Sequence, residues 1–412
     1  METTDTGGAV ADAELATLEA AVRADEASYL ADLERLVNID CGSYTPEGVD
    51  RIGAFVADFM TGLGASVERR PDPDEQLGAT VIGTWRGDTE ATGGPRLLLI
   101  GHMDTVFDPG TAAERPFAIR DGIATGPGVT DMKSGLLAGL YAIKALVAAG
   151  PLPFERLTYV ANPDEEIGSL SSTRHIQEIA ADSDVCLVLE CARANGDIVS
   201  SRKGILDARV TIHGRAAHAG VEPEKGRSAI LAAADLVARL HALNGRWDGV
   251  TVNVGAIAGG TRPNVVAERC SLEVDVRAIR RADLEAAETE IRALFADLTV
   301  PDTTAHLEPM ARWWPMEKLE RSGRLVDHAQ AIARRLGFEV RDAATGGASD
   351  ANTTSGMGVP SIDGLGPIGG MDHSPAEYLE VASIVPRTTL LAGLLLAIGR
   401  DPEVLAWRSA GR

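Results

Sequence analysis

The chain has no excess of basic residues. Lys+Arg number 39 against 60 Asp+Glu, a formal net charge of −21. So acidic a surface argues against nucleic acid and against a membrane as partners, and any cationic pocket for an anionic ligand has to be built locally. No stretch approaches the roughly 18 apolar residues of a membrane span. The start, METTDTGGAVADAELATLEAAVRADEASYL, lacks a basic head and an unbroken apolar core, so it does not read as a signal peptide. Cysteine is scarce: Cys41, Cys186, Cys191 and Cys270 are scattered, and two lie in apolar, strand-like runs. That usage fits reduced, buried thiols, and a cytoplasmic protein is the expectation. There is no internal repeat, no His-x-His and no His-Glu-x-x-His, which removes amidohydrolase-barrel and zincin chemistry.

What is present is an ordinary soluble composition, 45% apolar and 24% charged, spread over 412 residues, too many for one simple core. Residues 1–8 and RRPDPDEQLG (69–78) read as loops. LLLI (97–100), RLTYVAN (156–162) and VCLVLE (185–190) read as strands, and SGLLAGLYAIKALVAAG (134–150) has helical spacing ended by Gly150-Pro151. Apolar strands alternating with helices predict a parallel sheet covered on both faces. From about 203 the texture changes. GILDARVTIHG (204–214), VTVNVGAI (250–257), ERCSLEVDVRAI (268–279) and a segment near 304–312 alternate as half-buried strands, with helices over 228–243 and 282–298. This predicts a smaller α+β domain, residues 203–315, inserted into a larger α/β domain, residues 1–202 and 316–412.

Five stations in the larger domain carry acids or histidines: GHMDTV (101–106), GPGVTDMKSG (126–135), NPDEEIGS (162–169), LVLECAR (187–193) and GGMDHSPAEYL (369–379). Four follow predicted strands and one opens a helix, so all five can meet where α/β sheets bind ligands, at the carboxyl ends of the strands. Each alone is weak. A histidine at a strand end is more often satisfied by hydrogen bonds, Glu165–Glu166 could be a solvated turn, and Asp131 could be an N-cap. Together they supply His102, Asp131, Glu166, Glu190 and His373, imidazole and carboxylate ligands for a first-row metal. Five are too many for one tetrahedral catalytic ion and suit two ions sharing a carboxylate. Asp104, two residues beyond His102 on an extended backbone, is then free to orient that ring, and Glu165 is free to act as a general base.

GHMDTV, GPGVTDMKSG, PDEEIGS, the LVLE strand and DHSPAEY resemble, in order and context, the dizinc metallopeptidases and deacylases of the glutamate carboxypeptidase, acetylornithine deacetylase, succinyl-diaminopimelate desuccinylase and aminoacylase type. The resemblance spans about residues 30–400 and is strongest to the glutamate carboxypeptidase branch. It implies a zinc exopeptidase-like α/β catalytic domain with a mixed, mostly parallel sheet, and a ferredoxin-like inserted domain through which two copies form a homodimer. It implies two Zn²⁺ per subunit, with Co²⁺ or Mn²⁺ as alternatives: His102, Asp131 and Glu190 on one, Asp131, Glu166 and His373 on the other. By the same resemblance Asp104 backs His102 and Glu165 shuttles the proton. His218 of GRAAHAG (214–220) would hold the oxyanion in the partner's site, Asn264 and Arg277 would bind a substrate carboxylate, and Gly347 in GGASDAN (346–352) would contact substrate. A glutamate at position 190, where aminopeptidases of the group often have aspartate, favours a carboxypeptidase or N-acyl-amino-acid deacylase over a dipeptidase or aminopeptidase. A non-catalytic homologue would lack one of these residues, and every position is filled.

Overall fold

The computed structural model describes residues 10–88 and 93–410, so the loop expected at 1–8 lies outside the described residues. The chain divides into two compact units. One comprises Met1–Ser200, Lys318–Ala344 and Ser349–Arg412, the other Ser201–Glu317 and Thr345–Ala348.

The first unit is built on a six-stranded sheet containing β1 (Ser66–Arg70), β2 (Thr80–Arg86), β3 (Arg96–His102), β4 (Arg156–Asn162), β5 (Val185–Val188) and the short strand Ser361–Ile362. Its order is β1-β2-β4-β3-β5 followed by Ser361–Ile362. β3 pairs in parallel with both β4 and β5, and Ser361–Ile362 continues the parallel run, whereas β1 and β2 are antiparallel additions at one edge. Leu97, Leu98, Leu99 and Ile100 are wholly buried, so consecutive side chains on both faces of β3 are covered, as a continuous apolar strand requires. The expected mixed, mostly parallel α/β architecture is what forms. Two local expectations change. The strand read over 185–190 ends at Val188, leaving Glu190 in the loop, and the loop read over 69–78 gives its first two residues to β1.

Contrary to the sequence reading, two segments, Val129–Ala149 (regular helix from Ser134) and Val381–Arg400, are apolar and long enough to cross a bilayer, but 78% and 83% of their most apolar 18-residue windows is buried inside the protein, so they belong to the core. The first packs so closely on the sheet that a Cβ at Gly135 would lie 1.8 Å from the Leu189 carbonyl oxygen. Glycine there lets the helix settle against the segment that carries Glu190. A further sheet of four very short strands joins Ala118–Arg120, Ile123–Thr125, Tyr378–Glu380 and Gly369–Gly370. The turn between its last two strands carries His373.

The second unit runs β6 (Gly204–His213), helix Ala229–His241, β7 (Thr251–Gly259), β8 (Arg269–Ala278), helix Arg281–Ala296 and β9 (Thr304–Trp313). The four strands are antiparallel in the order β7-β8-β6-β9, a βαββαβ ferredoxin-like arrangement. Alternation along β6 and β8 turns Leu206, Val210, Ile212, Leu272, Val274 and Val276 inward, where they meet Leu236, Leu240, Leu284 and Ile291 of the helices.

Candidate metal centre

The parallel strands set out the first polar groups. β3 ends at His102, which is in register with Asn162 at the end of β4. The His102 Nδ1 lies 3.0 Å from the Asp104 carbonyl oxygen and 3.3 Å from Asp104 Oδ1. Both are acceptors, so Nδ1 is a donor whatever the charge of the ring, and Nε2 is the atom that can exchange a proton for a cation. Asp104 is fully buried. Its Oδ1 also accepts the Glu165 N–H (3.1 Å), and its Oδ2 accepts the Ser43 hydroxyl (2.6 Å) and the Glu166 N–H (3.1 Å). One carboxylate thus fixes a histidine ring and the turn that carries two glutamates.

Asp131 is not the helix N-cap its sequence context allowed. The helix begins at Ser134, Gly128 takes a left-handed φ of +70°, and Asp131 has non-helical φ −112°, ψ 93°. That irregular loop frees the side chain to point sideways. Its Oδ1 lies 3.1 Å from His102 Nε2, and its Oδ2 lies 3.1 Å from His373 Nε2. Glu190 Oε1 is 3.7 Å from the same His102 nitrogen, and Glu166 Oε2 is 3.0 Å from His373 Nε2. Among the described residues two groups are therefore placed to hold a cation, His102–Asp131–Glu190 and Asp131–Glu166–His373, with the ligand atoms of each within 4.8 Å of one another. Asp131 belongs to both.

The electrostatics ask for positive charge. Burial opposes ionisation of Asp131, yet its hydrogen bonds to His102 and His373 hold its carboxyl below the usual range. His373 is pushed up to about 11 by Asp131 and Glu166, and His102 is raised by Asp104 and Asp131 despite its burial. Burial also raises Glu165, with Glu190 and Glu166 adding to the effect, and raises Glu166. Glu166 Oε1 is buried and has no hydrogen-bond partner among the described residues. A cluster that draws protons onto its imidazoles and leaves a carboxylate oxygen unpaired fits divalent cations, which would displace those protons.

Two residues with a part in this geometry received no role from the sequence. Ser43 supports Asp104. Glu377, inside the quoted DHSPAEY motif, accepts N–H groups from Gly128, Thr130 and Asp131. The remaining candidates lie in the second unit. His218 is exposed, its Nδ1 accepts the Gly220 N–H at 3.1 Å, and the neighbouring Ala219 N–H bonds the Asn264 carbonyl at 3.0 Å. Arg277 stands on β8, where its Nε donates to Asp275 at 2.7 Å. Both Nη groups are without a hydrogen bond among the described residues. The Gly347 carbonyl accepts from Arg202 at 3.2 Å. His218 and Asn264 are thus brought side by side, while Arg277 sits on a different element.

Residues 98–397 match the family described as peptidase family M20/M25/M40. Carboxypeptidase G2 of Pseudomonas sp. (strain RS-16) is 32% identical over 382 residues, covering 91% of this chain and 90% of that protein. A succinyl-diaminopimelate desuccinylase of Xanthomonas campestris pv. campestris (strain 8004) is 29% identical, covering 80% and 89%. Among solved structures, a tripeptidase of Staphylococcus aureus superposes with a TM-score of 0.77 at 23% identity, covering 91% of this chain and 99% of that one. An M20 family metallo-carboxypeptidase of Sulfolobus solfataricus gives 0.68 at 15% identity, covering 90% and 99%.

Proposed function

The chain belongs to peptidase family M20/M25/M40, a metal-dependent hydrolase of C–N bonds, and from that premise we propose that it is a dizinc carboxypeptidase releasing an amino acid with a free α-carboxylate. The observation that carries the reading is Asp131, with one oxygen 3.1 Å from each of two imidazoles on different elements. When bound, a pair of divalent cations polarises a carbonyl oxygen and makes a water acidic near neutral pH. We assign zinc on the mixed imidazole and carboxylate donors, which cobalt and manganese also accept.

The protein's own groups then have distinct tasks. His102, Asp131, Glu166, Glu190 and His373 hold the cations, and Asp104 keeps the His102 ring in one orientation. Glu165, raised by burial, takes a proton from the attacking water and gives it to the leaving amine. We assign Arg277 and Asn264 to the carboxylate of the released residue. A guanidinium whose Nε is engaged by Asp275, with no further hydrogen bond among the described residues, suits end-on, two-point pairing with a carboxylate. Gly347 is assigned to substrate contact, and His218 to the oxyanion in the site of a second copy.

A sheet edge supports that second copy: among the described residues β7 has β8 on one side only, Ile257 on it is exposed, and so are Ile230 and Leu231 on the Ala229–His241 helix. Four unpaired cysteines fit a reducing compartment, in keeping with a cytoplasmic home. An N-acyl-amino-acid deacylase would use the same residues, a reading favoured by the 29% identity to a desuccinylase. The test is a release assay with added zinc over peptides and N-acyl amino acids, identifying the amino acid set free. Release of the C-terminal residue from peptides supports the proposal. Release only from N-acetyl or N-succinyl amino acids gives the deacylase reading, and no metal-dependent release refutes both.

A further inference from the structure

Glu377 is buried and stands four residues after His373. Its carboxylate has no ion pair among the described residues and meets instead the backbone of the loop that bears Asp131. Oε1 accepts the Thr130 N–H at 2.8 Å and the Asp131 N–H at 3.1 Å, and Oε2 accepts the Gly128 N–H at 2.9 Å. These three donors belong to the stretch that departs from helical geometry before Ser134, so no helical hydrogen bond claims them. The hairpin holding Glu377 is pressed against the same loop elsewhere. A Cβ at Gly369 would fall 2.0 Å from Thr130 Oγ1, so only glycine permits the approach. His373, from the same hairpin, meets the Asp131 side chain at 3.1 Å. Asp131 is therefore gripped twice by one hairpin, at its carboxylate by His373 and at its backbone by Glu377.

We infer that Glu377 is a positioning residue: it fixes the backbone of the loop bearing Asp131, so that one aspartate can present an oxygen to each of two cations. The inference rests on the two-cation reading. Its consequence is specific. His373 serves one cation, but the loop held by Glu377 serves both, so loosening that loop weakens both sites together. Charge and shape both matter. A glutamine can keep its oxygen on Thr130 and Asp131 only by turning its amide donors toward the Gly128 N–H, and the reverse orientation abandons two bonds instead of one.

The experiment is a zinc titration of the full chain, wild type and Glu377→Gln, against a chromophoric chelator of known affinity. Circular dichroism and melting temperature of the metal-free proteins are recorded alongside. Two sites in the wild type, both weakened by about 10- to 100-fold in Glu377→Gln, is the expected result, the range found when groups supporting metal ligands are removed. A core variant of similar melting temperature, Leu18→Ala, should keep both wild-type affinities, which separates positioning from general loss of stability. Should the glutamine variant fail to fold, Glu377→Asp carries the test, since it keeps the charge but cannot span all three donors; both affinities should again fall. Two unchanged affinities, or the weakening of one site alone, overturn the inference. A wild type that binds fewer than two zinc ions defeats the underlying two-cation reading instead.

Discussion

Replacing Asp104 with asparagine tests how far one buried carboxylate organises the site. Its four side-chain contacts divide evenly: Oδ1 carries the Glu165 N–H at 3.1 Å and His102 Nδ1 at 3.3 Å, Oδ2 the Ser43 hydroxyl at 2.6 Å and the Glu166 N–H at 3.1 Å. An asparagine oxygen can keep only one pair. With its amide nitrogen in the Oδ2 position, Ser43 can rotate and accept, and a single bond, to Glu166 N–H, is lost. In the opposite orientation two donors, Glu165 N–H and the His102 ring, meet an amide donor, so the first orientation is favoured. A hydrogen bond to a charged group is worth about 1.5–3 kcal/mol. At about 1.4 kcal/mol per factor of ten, that loss corresponds to roughly 10- to 150-fold. The effect should appear as weaker zinc binding, because the lost bond holds the turn that presents Glu166. A chelator-competition titration of Asp104→Asn reads it directly, with circular dichroism to confirm the fold. Wild-type affinities in that variant would refute the orienting role.

Other outcomes follow from individual groups. Glu165→Gln should retain both zinc ions while kcat falls by about 10²- to 10⁴-fold, the usual worth of a positioned general base, and near-normal turnover in metal-loaded Glu165→Gln contradicts the assignment. Arg387 is buried and, among the described residues, donates only to backbone carbonyls, Gly196 at 3.0 Å, Gly364 at 2.5 Å and Gly366 at 3.0 Å. Arg387→Met strands those acceptors and should cost about 3 kcal/mol or more in urea unfolding, since each buried unsatisfied group costs about 1–3 kcal/mol. Burial pushes the Asp350 carboxyl up to about 7, although Ser169 and Asn162 donate to it. A carboxyl raised above its unfolded value binds its proton more tightly when folded, so its contribution is full below about pH 4 and is lost as pH rises toward 7. Melting temperatures of the metal-free chain should show a shallower decline over that window in Asp350→Asn than in wild type.

The parts of the site that local pattern encodes were legible. An apolar run broken by His102 reads as a strand that ends on an imidazole, and the period of two puts Asp104 beside it, because both follow from backbone geometry. Asp131 was legible as a polar residue ahead of an apolar helix, but its conformation was not. A capping residue and one set between two histidines look alike in sequence, and only the arrival of His102 and His373 from distant segments tells them apart. Glu377 and Ser43 were missed for a related reason. Glu377 bonds backbone N–H groups 246 to 249 positions away, and Ser43 meets its partner 61 positions on, so neither leaves a periodic trace. β1 is five residues of SVERR with no buried side chain, a paired edge whose strand character comes from β2 and not from its own alternation. The 185–190 run stays apolar through Leu189, whose N–H still bonds the Ile100 carbonyl at 3.0 Å. At Glu190 the partner is a distant loop, the Glu190 carbonyl receiving the Gly366 N–H at 2.8 Å, which the local sequence does not encode.

The most direct test of the paired centre is the zinc stoichiometry of the metal-free chain, measured by titration calorimetry with elemental analysis, for wild type and Asp131→Ala. A shared aspartate predicts two equivalents in the wild type and the joint loss of both tight sites in the variant. A wild type that takes up one equivalent, or an Asp131→Ala chain that keeps one site at full affinity, would contradict it.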